Sequence, residues 1–171
     1  GTFSSARNDG TFKATVAYAG GLVDPGNVRA GDLNLDGVLD LVGVDGGSVI
    51  TTLGNGDGSF QAFRTFGTAG DAFTYGDLNA DGIVDVVAET PFGVASVLLG
   101  NGDGTFKAEL SIATALSTND VAIGDVNGDL IADLAFAEDS GGNVLVLLGN
   151  GDGTFNAGVS HVAGFGALTA D

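Results

Sequence analysis

The chain has 171 residues, of which 44% are hydrophobic, and 22 acidic against five basic residues give a formal net charge of -17. This balance argues against nucleic acid or an anionic membrane as a partner and favours cations, and the lack of cysteine excludes disulfides and thiolate metal sites. The 31 glycines follow no three-residue period, so they indicate turns and not a collagen helix.

The chain begins inside a pattern that later residues repeat. Residues 8–14 read "NDGTFKA", which matches the end of a motif found three more times further on. We therefore expect residues 1–25 to be a partial repeat, with the outermost strand of a preceding unit at residues 11–17. Because the chain also lacks methionine, we expect either a processed N-terminus or a piece of a longer protein.

The next element is an acidic run, "DLNLDGVLD", at residues 32–40, with side-chain oxygens at its positions 1, 3, 5 and 9. It returns as "DLNADGIVD" from residue 77 and "DVNGDLIAD" from residue 125, at spacings of 45 and 48 residues. Carboxylates packed this densely repel one another unless a cation binds them. All the donors are hard oxygens, without His or Cys, so the pattern favours Ca²⁺ over zinc or copper, and Mg²⁺ is the poorer fit.

We predict five ligands in each run, namely the side chains at positions 1, 3, 5 and 9 and the main-chain carbonyl at position 7. Position 6 must turn sharply, which explains Gly37 and Gly82. The third run has Leu130 there, and a left-handed leucine costs about 1–2 kcal/mol. We therefore expect the third loop to bind Ca²⁺ most weakly. The predicted ligands are Asp32, Asn34, Asp36, Val38 and Asp40; Asp77, Asn79, Asp81, Ile83 and Asp85; and Asp125, Asn127, Asp129, Ile131 and Asp133.

Two familiar calcium-binding motifs do not fit the acidic runs. An EF-hand loop needs a bidentate Glu at position 12 and flanking helices, whereas position 12 here is Gly43, Ala88 or Phe136. The glycine-rich nonapeptide array of parallel β-rolls needs tandem copies, whereas "GNGDG" occurs once per repeat. The remaining alternative is that the runs are turns alone. Turns do not require an Asp at position 9, so three copies with that residue favour Ca²⁺.

A second motif, "LGNGDGSF" or "LGNGDGTF", begins at residues 53, 99 and 148, which is 21 to 23 residues after the start of each acidic run. Asn-Gly and Asp-Gly are typical of tight hairpins, so we interpret this motif as a hairpin turn. A metal role for its aspartates is the alternative, and we interpret its phenylalanines as core anchors between repeats. The aspartates are Asp57, Asp103 and Asp152, and the phenylalanines are Phe60, Phe106 and Phe155.

Each repeat also contains apolar runs of strand length, rich in Val, Leu, Ile and Phe, and no segment has a sustained helical period. Four short strands in about 45 residues are typical of a β-propeller blade. We predict an all-β protein with three full repeats, at residues 26–70, 71–117 and 118–164. A last partial repeat, residues 165–171, would contribute an innermost strand at residues 167–171.

The paired "D-x-N-x-D-G-x-x-D" and "LGNGDGTF" blocks resemble FG-GAP (VCBS-type) repeats over nearly the whole chain. They are similar to the calcium-bearing blades of integrin α-subunit propellers and to repeats of many secreted or surface proteins of bacteria. The resemblance implies blades of four antiparallel strands, with the Ca²⁺ loop between the first and second strands. It also implies about three Ca²⁺ ions and a secreted or cell-surface location. Leu130 departs from the family pattern at the third site.

The sequence contains no catalytic motif of the "GxSxG", "HExxH" or phosphate-loop type, and its one histidine, His161, has no suitably placed Ser or Cys. We therefore predict that the chain is not an enzyme. Three blades do not close a ring, and exposed strand edges are templates for self-association. We expect an open arc that belongs either to a longer propeller or to a multi-chain assembly, such as an oligomer or a filament.

These expectations together predict a non-enzymatic extracellular structural or adhesion module. It would bind Ca²⁺ and either another macromolecule or further copies of itself, without a nucleic-acid partner and without membrane insertion. The alternative function is a lectin-like, carbohydrate-binding propeller or an accessory module of a secreted enzyme. A lectin normally offers an aromatic platform, and this chain has no Trp and only two tyrosines, Tyr18 and Tyr75.

Overall fold

The computed structural model describes residues 27–70, 72–90, 93–114, 118–138 and 142–162. These ranges contain strands and no helix, so none of them forms a helix that could cross a membrane. The terminal strands predicted at residues 11–17 and 167–171 lie outside these ranges. In chain order the strands are β1 (Val28–Gly31), β2 (Asp40–Asp45), β3 (Ser48–Thr52), β4 (Arg64–Phe66), β5 (Phe73–Gly76), β6 (Asp85–Thr90), β7 (Val94–Leu98), β8 (Leu110–Ala113), β9 (Thr118–Gly124), β10 (Asp133–Glu138), β11 (Asn143–Leu147) and β12 (Val159–Val162).

These strands form three separate sheets, each of four antiparallel strands that follow one another in the chain. The sheets are β1–β4, β5–β8 and β9–β12, which we call blade 1, blade 2 and blade 3. Every connection inside a blade joins neighbouring strands, and none of the sheets closes into a barrel. The prediction of an all-β protein built from propeller-type blades is therefore confirmed.

The hydrophobic core lies between adjacent blades, because the central strands are apolar on both faces. Side chains alternate along a strand, so Val86 of β6 joins a buried cluster with Val42 of blade 1. Its neighbour Val87 points the other way and joins a second cluster with Phe136 of blade 3. Blade 2 thus buries both of its faces, and each flanking blade buries one face against it.

Glycines allow the blades to approach closely. A Cβ atom added at Gly104 of blade 2 would lie 2.6 Å from a methyl carbon of Leu53 in blade 1. A Cβ atom added at Gly153 of blade 3 would likewise lie 2.7 Å from Leu99 of blade 2. Each leucine opens a hairpin motif, and each glycine is the sixth residue of that motif one blade further on. The motif therefore supplies both halves of a contact that repeats from blade to blade.

The acidic runs and hairpin motifs occupy equivalent places in all three blades. Each acidic run connects the first strand to the second, as the family resemblance implied, and its ninth residue opens the second strand. That residue pairs with the glycine that ends the first strand, as Gly31 does with Asp40. Each hairpin motif connects the third strand to the fourth and is closed by a bridge such as that between Gly54 and Phe60.

Candidate metal centres in the acidic loops

Three polar side chains in each acidic loop fold back onto the main chain of the same turn. In the first loop, the Asp36 N–H donates to Asp32 Oδ1 at 3.2 Å and to Asn34 Oδ1 at 3.1 Å. The Gly37 N–H donates to Asp32 Oδ2 at 2.9 Å, and Asn34 Nδ2 donates to Asp36 Oδ2 at 2.9 Å. Asp32 and Asn34 share the Asp36 N–H, and Asn34 also donates to the Asp36 carboxylate, so the side chains at positions 1, 3 and 5 lie together.

The second and third loops repeat this arrangement. The Asp81 N–H donates to Asp77 Oδ1 and Asn79 Oδ1 at 3.2 and 3.1 Å. The corresponding distances from the Asp129 N–H to Asp125 Oδ1 and Asn127 Oδ1 are 3.1 and 2.9 Å. At position 7, the N–H donates to the carboxylate at position 5 in every loop, as Val38, Ile83 and Ile131 do. The predicted side-chain ligands at positions 1, 3 and 5 are therefore brought together three times.

The aspartate at position 9 lies behind this turn and is buried in all three loops, at 0% exposure for Asp40, Asp85 and Asp133. Its two oxygens accept N–H groups from both motifs of the blade. Asp40 accepts from Leu33 and from Gly54, each at 2.8 Å. The equivalent bonds are present in the other blades. This carboxylate therefore connects the acidic loop to the hairpin motif, a role that the sequence pattern does not reveal.

The carboxylates of the second loop influence one another electrostatically. Burial is the largest cause that raises the pKa of Asp85, and the N–H donors of Gly100 and Leu78 oppose it. The negative charges of Asp81 and Asp77 raise the pKa of Asp85 further. The like charges are thus close enough to penalise one another, which is the situation that a bound cation relieves.

Hydrogen bonds in the third loop favour the charged form of its first carboxylate, Asp125. The N–H of Leu130 is the main cause that lowers the pKa of Asp125, and the N–H groups of Gly128 and Asp129 contribute in the same direction. Hydrogen bonds donated to a carboxylate favour its ionised state. The turn of the third loop therefore stabilises the carboxylate form of Asp125.

Two positions in each loop have a left-handed backbone, and only one of them was anticipated. At position 6, Gly37 and Gly82 have φ of 82° and 79°, and Leu130 has φ of 68°, which confirms the predicted turn. At position 4, the residues are Leu35 at 60°, Ala80 at 58° and Gly128 at 84°. Every loop therefore has one glycine and one residue with a side chain at its two left-handed positions. Leu130 alone does not make the third loop more strained, and the expected order of Ca²⁺ affinities stays a prediction.

The donor set of each loop suits a hard divalent cation. The described part of the chain has no group of three or more His, Cys, Asp or Glu side chains that could hold a metal ion by themselves. Each loop instead combines carboxylates, one carboxamide and main-chain carbonyls, the mixture that Ca²⁺ accepts. The residues that would hold Ca²⁺ are those at positions 1, 3, 5 and 9, with the carbonyl at position 7. Ca²⁺ would supply positive charge beside the carboxylates at positions 1 and 5.

The hairpin motifs satisfy their aspartates without a cation. Asp57 accepts the Ser59 N–H at 2.8 Å and its hydroxyl at 2.6 Å. In the later repeats a threonine takes this place, and its hydroxyl is the main cause that lowers the pKa of Asp103 and of Asp152. The carboxylate of each hairpin motif therefore has a hydroxyl donor and an N–H donor within its own turn. The geometry favours our interpretation of the motif as a hairpin.

Two phenylalanines of the hairpin motifs pack between blades, whereas the one histidine lies on the surface. Phe106 packs edge-on against Phe66 of the preceding blade, with ring centroids 5.1 Å apart. Phe155 packs against the cluster between blades 2 and 3, so these two phenylalanines are anchors between blades, as predicted. Phe60 is half-buried, and His161 lies exposed in β12.

Three stacked four-stranded blades with matching loops define a propeller-type repeat protein. The profile of the "FG-GAP-like repeat" family matches residues 32–88 and 77–136. The chain therefore belongs to the FG-GAP-like repeat family, which confirms the resemblance. No curated protein matches the chain.

A solved structure with a similar fold is a lectin from Agrocybe aegerita, studied for its specific recognition of non-reducing terminal N-acetylglucosamine. The TM-score is 0.57 and the sequence identity is 22%. The likeness covers 78% of this chain and 37% of the lectin chain, so the present chain spans little more than a third of that lectin. At this identity the likeness concerns the fold.

Proposed function

We propose that this chain is a non-enzymatic structural and adhesion module stabilised by Ca²⁺. The convergence of oxygen donors at positions 1, 3 and 5 of three equivalent loops carries the proposal. Three bound ions would reduce the formal net charge from -17 to -11 and relieve repulsion where it is most concentrated. Ca²⁺ would then stabilise the blades and, with them, any surface that the blades present to a partner.

The partner in this proposal is a macromolecule or a second copy of the chain, outside the cell or on its surface. The family supports an extracellular location, because FG-GAP-type repeats are typical of secreted and surface proteins. The fold supports a binding role without catalysis, because stacked blades present broad surfaces to a partner. Neither nucleic acid nor membrane insertion suits the acidic charge.

The calcium proposal is tested by isothermal titration of the metal-free chain with Ca²⁺, with Mg²⁺ as the control ion. We expect about three Ca²⁺ per chain, one for each acidic loop, with much weaker binding of Mg²⁺. Thermal unfolding followed by circular dichroism should shift upward in Ca²⁺ and return on addition of a chelator. An unchanged melting temperature and no heat of binding would contradict the proposal.

A glycan-binding function is the second candidate, and one feature of the fold favours it. An open groove of about 490 Å³ runs between β8 and residues 153–158 of blade 3. Ser111, Thr154 and Asn156 give its lining polar groups beside Leu110 and Phe155, a mixture found in small-molecule sites. Screening on a glycan array with and without Ca²⁺ separates this function from that of a scaffold. Absence of any glycan signal at both conditions would eliminate it.

A further inference from the structure

The third acidic loop differs from the other two in the residue that follows its asparagine. Positions 3 and 4 of that loop are Asn127 and Gly128, whereas the other loops have a leucine or an alanine at position 4. Gly128 is exposed, with φ of 84°, and no described atom lies within 4 Å of a Cβ added there. Because glycine has no Cβ, its main-chain nitrogen can approach the side chain of the preceding residue closely. The side-chain carbonyl carbon of Asn127 is therefore sterically accessible to the Gly128 nitrogen.

The main-chain nitrogen of this glycine lies next to a carboxylate. The Gly128 N–H donates to Asp125 Oδ1 at 2.6 Å. In the other two acidic loops, which the structure describes in full, the aspartate at position 1 accepts the N–H groups of positions 5 and 6 and none from position 4. A carboxylate oxygen at hydrogen-bond distance from an N–H group can take up the proton when the nitrogen reacts. Asp125 is therefore placed as a general base for the Gly128 nitrogen.

The side-chain amide of Asn127 is held by two hydrogen bonds to the residue at position 5. Its Oδ1 accepts the Asp129 N–H at 2.9 Å, and its Nδ2 donates to Asp129 Oδ2 at 2.8 Å. A donor at a carbonyl oxygen stabilises the negative charge that develops there when a nucleophile adds to the carbon. Residues 125–129 thus bring together a nucleophilic nitrogen, a base for its proton and a donor for the oxygen that becomes negative.

We propose that Asn127 is a site of spontaneous deamidation, at which the side-chain amide is lost and the residue becomes aspartate or isoaspartate. The Gly128 nitrogen forms a bond to Cγ of Asn127 and gives its proton to Asp125. The bond between Cγ and Nδ2 then breaks, and the amide nitrogen leaves with that proton as ammonia, so that a succinimide ring closes. Water opens the ring at either carbonyl. The reaction consumes a water molecule and releases ammonia, with no oxidation or reduction.

The modification changes the third candidate metal centre and leaves the other two as they are. Aspartate at residue 127 adds a carboxylate to a loop that already has three, and isoaspartate adds a carbon atom to the main chain of the loop. Either product alters the predicted Ca²⁺ ligands, because the charge and the placement of the oxygen donors set the affinity of such a loop. This consequence rests on the proposed function, whereas the modification itself needs no bound ion.

The proposal is tested by peptide mapping with mass spectrometry on the full chain after incubation in chelator at neutral pH. Fragmentation locates each deamidated residue and distinguishes aspartate from isoaspartate. The asparagines at position 3 of the other loops, Asn34 and Asn79, are controls, because their side-chain amides make the same two hydrogen bonds. We expect Asn127 to react at least about tenfold faster than either control, which corresponds to about 1.4 kcal/mol in activation free energy. Equal rates, or an unreacted Asn127, would overturn the proposal.

The hairpin motifs provide internal controls with the same dipeptide. Each contains an Asn-Gly pair whose asparagine Nδ2 donates to a hydroxyl. The carboxylate of each hairpin accepts the N–H of the serine or threonine two residues after it, and in these described turns it accepts none from the glycine of the pair. We therefore expect Asn127 to react faster than the three hairpin asparagines, which are Asn55, Asn101 and Asn150. The same rate at all four sites would mean that the dipeptide alone controls the reaction, which would contradict the proposal.

Two substitutions exchange position 4 between the second and third loops. Gly128→Ala introduces the residue that the second loop has there, and Ala80 adopts the required backbone with φ of 58°. This variant should slow the reaction at Asn127 at least about tenfold, and a rate equal to that of the wild type would refute the proposal. Ala80→Gly creates an Asn-Gly pair in a loop where position 4 is not bonded to a carboxylate, so Asn79 should still react more slowly than Asn127. Circular dichroism checks that both variants remain folded.

Incubation in urea separates the effect of the fold from that of the local sequence. The unfolded chain lacks the hydrogen bonds to Asp125 and Asp129, so Asn127 should lose its advantage in rate over the hairpin asparagines. An advantage of the same size in urea would overturn the proposal.

Calcium titration of the unmodified chain separates this proposal from the proposed function. Deamidation at Asn127 in a chain that binds no Ca²⁺ would support the modification and contradict the proposed function. Calcium binding by a chain whose Asn127 does not react would do the reverse.

Discussion

The acidic loops and the hairpin motifs are built from the same residue types, Asp, Asn and Gly, yet they differ in how their charges are satisfied. In a hairpin, the single carboxylate of Asp103 accepts the hydroxyl and the N–H of Thr105. The second acidic loop has three carboxylates, and the charges of Asp77 and Asp81 help to raise the pKa of the buried Asp85. The comparison teaches that the number of charges per turn, and not the presence of Asp-Asn-Gly, distinguishes a plain turn from a candidate cation site.

The largest effect that separates the two regions should be the response to Ca²⁺. A triple Asp→Asn variant at position 5 of the acidic loops keeps an oxygen for the N–H of position 7 and removes three charges. It should lose most of the stabilisation by Ca²⁺, which for the wild type is about 2.7 kcal/mol per site at a hundredfold excess over Kd. The three substitutions are Asp36→Asn, Asp81→Asn and Asp129→Asn, measured by thermal unfolding with and without chelator.

The control for that variant changes the hairpins in the same way. Asp57→Asn, Asp103→Asn and Asp152→Asn remove the same number of charges from turns that already satisfy their aspartates. This variant should retain the calcium-dependent rise in melting temperature. A loss of the calcium response in both triple variants, or in neither, would remove the distinction between the two regions.

The next effect concerns the buried aspartate that connects the two regions. Asp85→Asn keeps the shape of the side chain but replaces one carboxylate oxygen with an NH₂ group. That group faces the N–H of Leu78 or of Gly100, and neither N–H can accept a hydrogen bond. A buried donor left unsatisfied costs about 1–3 kcal/mol. Urea unfolding in chelator should therefore show a loss of that size for Asp85→Asn and a much smaller loss for the exposed Asp103→Asn. Equal losses of stability in the two variants would mean that burial of the Asp85 carboxylate does not add to its contribution to stability.

The blades and the three loops follow from the sequence because they depend on local chemistry. The apolar runs of strand length and the Gly-Asn-Asp turns predict the strands, and the donor pattern predicts which side chains converge. The hydrogen bond from the Gly54 N–H to Asp40 was not predicted, because it joins residues from two motifs that are distant in the sequence. The pairing of Leu53 with Gly104 was missed for the same reason. The recurring "LG" that opens each hairpin motif was the available signal.

A third, smaller effect concerns position 6, where the second loop has a glycine and the third loop has a leucine. Gly82→Leu would leave the second loop with side chains at both left-handed positions and should cost about 1–2 kcal/mol. Leu130→Gly removes that strain in the third loop without loss of burial, since Leu130 is 92% exposed. Its gain is offset by about 0.4–1 kcal/mol, because glycine makes the unfolded chain more flexible. Urea unfolding in the presence of chelator measures the change in the free energy of unfolding for both variants.

Calcium titration of the same pair sharpens the comparison among loops. If strain at position 6 controls affinity, Leu130→Gly should raise the affinity of the weakest site and Gly82→Leu should create a second weak site. Ala80 and Leu35 already tolerate φ near 60° at position 4, so the alternative result is three equivalent sites in the wild type. That result would contradict the expectation that the third loop binds most weakly.

The smallest effect lies in the hairpins and depends on pH. The hydroxyl of Thr154 is the main cause that lowers the pKa of Asp152 from its ordinary value of 3.8, so Thr154→Val should raise it. Because the folded pKa is lowered, the stability contributed by Asp152 is fully present above 3.8 and is lost as pH falls through the folded pKa. The difference in stability between wild type and variant should therefore shrink on acidification. Carboxyl NMR titration measures the pKa directly, and the exposed Thr65→Val is the control that should leave the pKa of Asp152 unchanged.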